Sequence, residues 1–172
     1  MDRLKQDIEE WVLQFVSVHN STLGAIPCPF AKEAMISNKI EYIEFSNAYE
    51  HISNHDYLIA ICENITYHWP KNKEIAIIGC DPMLVSVKEL SSAADIANNK
   101  FLRKRGYVVL EDHPNDEEII SNVVMNQGSW ALLLVQSLDK LNNASNKLRK
   151  QGYYDSWSKE NIDSVVSWRL DG

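Results

Sequence analysis

Apolar residues recur near the start of the chain at Leu4, Ile8, Trp11, Phe15 and Val18, a 4-3-4-3 spacing. This predicts an amphipathic first helix ending before Asn20-Ser21. Residues 20–29 read as a loop, and Phe30-Ala31-Lys32-Glu33-Ala34-Met35 has the side chains of a short helix over residues 30–37. Apolar and acidic residues then alternate through Ile40-Glu41-Tyr42-Ile43-Glu44-Phe45, the pattern of a strand with one wet face. A helical pattern follows from Ala48 to Trp69, with Ile52, Ile59, Cys62 and Trp69 along one side and Pro70 as its stop. Glu74-Ile75-Ala76-Ile77-Ile78-Gly79 is a continuous apolar run of the kind buried on both faces.

Ser86-Val87-Lys88-Glu89 is a capping box. The helix it opens carries Val87, Leu90, Ala94, Ala97 and Phe101 on one stripe, and Gly106 is its expected stop. Tyr107-Val108-Val109-Leu110 is the third strand. Beyond Pro114, Asp116-Glu117-Glu118 opens a short helix using Ile119, Ile120, Val123 and Val124. Trp130 to Val135 is either a fourth strand or the start of a long helix through Leu138, Leu141, Ala144 and Leu148. Its Leu and Ala content, with Ser129 as N-cap, favours the helix. Strands alternating with helices imply parallel pairing. The expected fold class is therefore α/β: residues 1–172 form a single domain with a small, mainly parallel three- to four-stranded sheet flanked by helices.

Composition narrows the classes. The chain has 172 residues, 45% of them hydrophobic, which suffices for one domain with a sizeable core. A net charge of −7 argues against nucleic acid as a partner. Lys100, Arg103, Lys104 and Arg105 read as a solvated helix end. Three cysteines are too few for a disulfide framework and fit a reducing compartment. The charged start Met1-Asp2-Arg3-Leu4-Lys5-Gln6-Asp7 has no apolar signal core, and no run reaches about 18 apolar residues. These features predict a cytoplasmic protein with no membrane partner.

Candidate chemistry follows from the expected topology. Parallel strands bring their C-terminal ends to one rim, where open α/β sheets bind ligands. The residues there are Ser46-Asn47, Gly79-Cys80-Asp81-Pro82 and Glu111-Asp112-His113-Pro114. His113, beside Asp112, suits an acid/base group, although His-Pro after a strand is also ordinary turn chemistry. Cys80 at a buried strand end is also read as a small hydrophobe. Cys28 lies between Pro27 and Pro29, which restrict the backbone around one thiol just before a helix start. The helix dipole and free N–H groups there, with Lys32 one turn on, are expected to lower its pKa. No metal site is assigned, because no pair has a spacing such as Cys-x-x-Cys or His-x-x-x-His among these groups. No Gly-x-Gly phosphate loop and no Gly-x-Ser-x-Gly elbow occurs.

Pro27-Cys28-Pro29-Phe30-Ala31-Lys32, following an amphipathic helix, resembles the signature of an uncharacterised bacterial domain-of-unknown-function family built around Cys-Pro-Phe-Ala. The order of elements is similar over residues 1–116, although Cys80-Asp81-Pro82 stands where that family has a His-Pro-type turn. The resemblance implies a fold and a site address, with no activity and no cofactor attached.

The leading expectation is a small-molecule-binding protein or enzyme with its pocket at the strand ends, under the Cys28 loop. Cys28, His113 and Asp112 would be its reacting groups, with Asn47, Cys80, Asp81 and Lys32 as ligand contacts. The alternative is a homo-oligomer or interaction module built on Tyr153, Tyr154, Trp157 and Trp168.

Overall fold

The computed structural model describes residues 3–47 and 49–170. Ala48, the expected first residue of the second long helix, lies outside them, as do Met1 and Asp2 of the charged start. The first helix, α1 (Arg3–Trp11), widens into a π-helical turn over Val12–Val16. Its buried residues are Leu4, Ile8, Val12 and Val16, all four apart, while Val18 is exposed. At 3.6 residues per turn, a step of four drifts roughly 40° around an α-helix. The wider turn brings Val12 and Val16 back over the sheet.

Four strands form one sheet in the order β1 (Ile40–Glu44), β2 (Ile75–Cys80), β6 (Ala131–Ser137), β3 (Tyr107–Asp112). β1 and β2 are parallel, but β6 is antiparallel to both β2 and β3. The sheet is therefore mostly antiparallel, which corrects the expected parallel sheet. β1, β2 and β3 do run the same way. The chain returning from β3 contains no crossover helix, so it re-enters antiparallel.

That return also corrects two element assignments. Trp130 to Val135 is not the start of a helix. Ala131, Leu132, Leu133 and Val135 are fully buried in a central strand, and helix α5 (Leu138–Lys150) begins only after it. Ser137, not Ser129, is the N-cap, accepting from Lys140 N. The acidic run at Asp116 opens a hairpin, not a helix. β4 (Ile119–Ile120) pairs with β5 (Val123–Val124) across Ser121 and Asn122, both at positive φ.

The two sheet faces carry separate cores. Ala76, Ile78, Cys80, Val109, Leu133 and Val135 face α3 (Asn54–Tyr67) and α4 (Val87–Ala97). Ile40, Ile77, Trp130 and Leu132 face α1 and its π-turn, with α2 (Ala31–Ile36) packed alongside. The capping box at Ser86 and Glu89 forms as expected. α4 continues through a π-turn and a 3₁₀ turn to Gly106, whose φ of +78° ends it in the left-handed conformation. A last short helix, α6 (Lys159–Val165), leads to a 3₁₀ turn at Ser167–Arg169.

Candidate functional site

A groove of about 780 Å³ lies at the C-terminal end of β3. β3 forms its floor with Val109, Leu110, Glu111, Asp112 and His113. α4 forms one wall with Ser91, Ala94, Asp95 and Asn98. The segment leading to the hairpin supplies Asp116, Glu117 and Glu118, joined by Asn126. α6 and the following turn close the far side with Glu160, Asp163, Ser164, Val165 and Trp168. Among the described residues, eight carboxylates line the groove and no lysine or arginine does.

This crowding has a physical cost. Burial, and the charges of Asp116, Asp112 and Asp95, raise the Glu111 carboxyl above its ordinary value, although Ser91 hydrogen-bonds it. Glu118 is exposed at the surface, and partial desolvation by its surroundings, then Asp112 and Asp116, raise its carboxyl. Asp112 is raised by burial as well. Its two oxygens accept from Asn126 Nδ2 at 2.7 Å and from Gln127 N at 2.9 Å, which limits that rise. Asn126 is a hub. Its Nδ2 also lies 3.2 Å from His113 O and 2.9 Å from Asp116 O, and its Oδ1 accepts from Glu118 N at 2.7 Å.

His113 reaches the groove rim but is spoken for. It is 1% exposed, with Nε2 3.0 Å from the Val85 carbonyl and Nδ1 accepting from Asn115 N at 3.1 Å. That network assigns the proton to Nε2. Asp112 bonds the hairpin and not the imidazole, so the expected pair oriented by Asp112 is not assembled.

Cys28 is elsewhere. It packs with Ala31, Ala34 and Met35 against the core beneath α1, on the opposite sheet face from Cys80. Its N–H donates to Val16 O at 2.8 Å. Tyr153 Oη, from the C-terminal segment, donates to the carbonyls of Ile26 at 2.9 Å and Pro27 at 2.7 Å, and so pins the Cys28 loop. The expected lowered thiol pKa is corrected. Backbone N–H groups of Phe30 and Ala31 do favour the thiolate, but burial outweighs them and pushes the thiol up. Cys28 does not line the groove at β3.

The remaining expected contacts also have structural partners. Asn47 Nδ2 donates to Ile52 O and to Asn54 Oδ1, both at 2.9 Å, and ties the end of β1 to α3. Asp81 accepts from Met83 N at 2.9 Å, and Lys32 is exposed on α2. Cys80 is 1% exposed, with its thiol pushed up to about 12 by burial and by Asp81.

Of the expected reacting groups and ligand contacts, the groove contains Asp112 and His113, joined by Glu111 of the same rim and by Trp168, which was expected in an interaction surface. Of the others, those on α4 are related only by helical spacing. Ser91, Ala94, Asp95 and Asn98 share one helix face at spacings of three and four. The acidic run at Asp116 was visible but was assigned to a helix start. No family model, no curated protein and no solved structure matches the chain.

Proposed function

We propose that the protein is a cytoplasmic small-molecule-binding protein whose groove takes an organic cation, an amine or guanidine with an apolar chain. The observation that carries this reading is a cavity lined, among the described residues, by eight carboxylates and no lysine or arginine. Its volume of about 780 Å³ is that of a ligand pocket, for which roughly 300–1,000 Å³ is typical. Methylenes of such a ligand can pack on Leu110 and Val165, and the Trp168 indole lines the groove, where a cation can stack on an aromatic ring. Each ammonium group would relieve the repulsion that adds to desolvation in raising Glu111 and Glu118. An organic cation fits better than a metal ion. Among the described residues, no three His, Cys, Asp or Glu side chains converge with metal-ligand geometry.

Binding is favoured over catalysis because His113, the ring nearest the groove, has both nitrogens engaged by backbone. The aromatic interaction reading gains less from this geometry. Tyr153, Tyr154 and Trp157 stack on one another at 5.0–5.7 Å between ring centres, and Tyr153 holds the chain's own loop.

Calorimetry with spermidine, against an uncharged polyether of equal length, tests the proposal. Spermidine should bind, and its affinity should fall as salt rises. Equal binding of both probes, or of neither, would refute it.

A further inference from the structure

The segment from His113 to Gly128 leaves the edge strand β3, makes the β4–β5 hairpin and enters β6. It forms a strap along the groove. It is held at its start by His113, buried with Nε2 on the Val85 carbonyl, further on by buried Ile120, and near its end by Asn126 and Gln127 on the Asp112 carboxylate; between the first two holds, residues 115–119 are exposed. Gly128, at φ +89°, ends it. The strap brings Asp116, Glu117 and Glu118 to the groove. Facing them are Asp95 on α4 and Glu111 on β3, with Glu160 and Asp163 of α6 at the far side. Lys88, on α4, lines an adjoining depression with Asp116. Strap and scaffold thus meet carboxylate to carboxylate.

We infer that the strap is charge-gated: the like charges facing one another across the groove oppose its closure, and protons or a bound cation close it. Desolvation is the first cause of the rise in all three raised carboxyls, and like charge adds to it across the groove, from Asp116 at Glu111 and from Asp112 at Glu118. Glu111, Asp112 and Glu118 hold their protons more tightly here than in water, so protonation favours the closed strap. His113 acts on Asp112 in the opposite sense. The closing equilibrium changes about tenfold for each pH unit by which a carboxyl's pKa rises on closure. The proton half stands without any ligand, while the cation half rests on the reading proposed above.

Amide hydrogen exchange on the whole chain, corrected for intrinsic rates, reads the strap directly. The reporters are the N–H of Glu118, bonded to Asn126 Oδ1, and of Met125, bonded to the Glu118 carbonyl at 2.9 Å. Their protection should rise severalfold from pH 7 to pH 5, while the Ile78 and Leu133 amides of the central strands keep theirs. Addition of spermidine at pH 7 should have the same effect. The pair Glu111→Gln and Glu118→Gln should raise strap protection at pH 7 and flatten its pH dependence. Strap protection that is equal at the two pH values, or falls towards pH 5, overturns the gating even if spermidine binds by calorimetry. A rise at pH 5 with no response to spermidine keeps the proton gate and overturns the cation half.

Discussion

Asn98 clamps the open edge of β3 at Val109. Its Nδ2 donates to the Val109 carbonyl and its Oδ1 accepts from the Val109 N–H, both at 2.9 Å. One buried side chain thus takes the place of a fifth strand. An unpaired edge is a template for association, and this contact closes it at its centre. Replacing Asn98 by Ala leaves two buried backbone groups without partners. The expected cost is about 2–4 kcal/mol in urea denaturation, with faster exchange of the Val109 amide. A loss below about 0.5 kcal/mol would mean that water replaces the clamp.

Gly79 lies under Leu4. A Cβ added at Gly79 would stand 2.1 Å from Leu4 Cδ1 and 3.0 Å from Leu4 Cγ, and Leu4 is fully buried. Close approach of α1 to β2 therefore requires the missing side chain. Gly79→Ala should cost roughly 1–3 kcal/mol through overpacking. Adding Leu4→Ala should recover part of that loss, because the two residues share one space. Simple additivity in a double-mutant cycle would show that the clash is absorbed elsewhere.

The first 112 residues were largely legible because their signals are local. The capping box at Ser86, the buried run Ile75–Cys80 and the stop at Gly106 each decide their structure within a few residues. Trp130–Ser137 was not legible. A short run of Leu, Ala and Val is compatible with helix or strand, and its position between β2 and β3 decides the matter. That one strand also changes the sheet from parallel to mostly antiparallel. For the site, the rim of β3 was foreseen through Asp112 and His113. Its partners on α4 and α6 are brought in by tertiary packing and carry no motif. The prominence of Cys28 came from flanking prolines, which shape a loop whatever its thiol does.

That loop gives a direct prediction. With burial pushing the Cys28 thiol up, less thiolate is present at neutral pH than in a free cysteine, whose pKa is about 8.5. A thiol reagent at pH 7 should therefore label Cys28 more slowly than a model thiol, with the rate climbing as pH rises. Cys62, pushed up to about 12, and Cys80 should be slower still, since both are buried. Tyr153→Phe removes the hydroxyl that holds Ile26 and Pro27. It should cost about 1 kcal/mol and speed Cys28 labelling severalfold. Labelling of Cys28 at pH 7 as fast as a free thiol would contradict the burial argument.

Stability should also depend on pH in an uncommon direction. Glu111, Asp112 and Glu118 have folded pKa values raised above those of unfolded carboxyls, which lie near 4. Through that window the folded chain binds more protons than the unfolded chain. Their stabilising contribution is complete below about pH 4 and is lost as pH rises through the folded values. Asp56 and Glu89 have lowered values, so their contribution is lost only as pH falls below the same window. The melting temperature should thus decline as pH rises above about 4 and these carboxyls lose their protons. In the pair Glu111→Gln and Glu118→Gln the decline should be shallower, and the variant should melt above the parent at pH 7.5. A melting temperature that rises with pH in the parent, or a double variant that melts lower at pH 7.5, would show that these carboxylates stabilise the fold in their charged form.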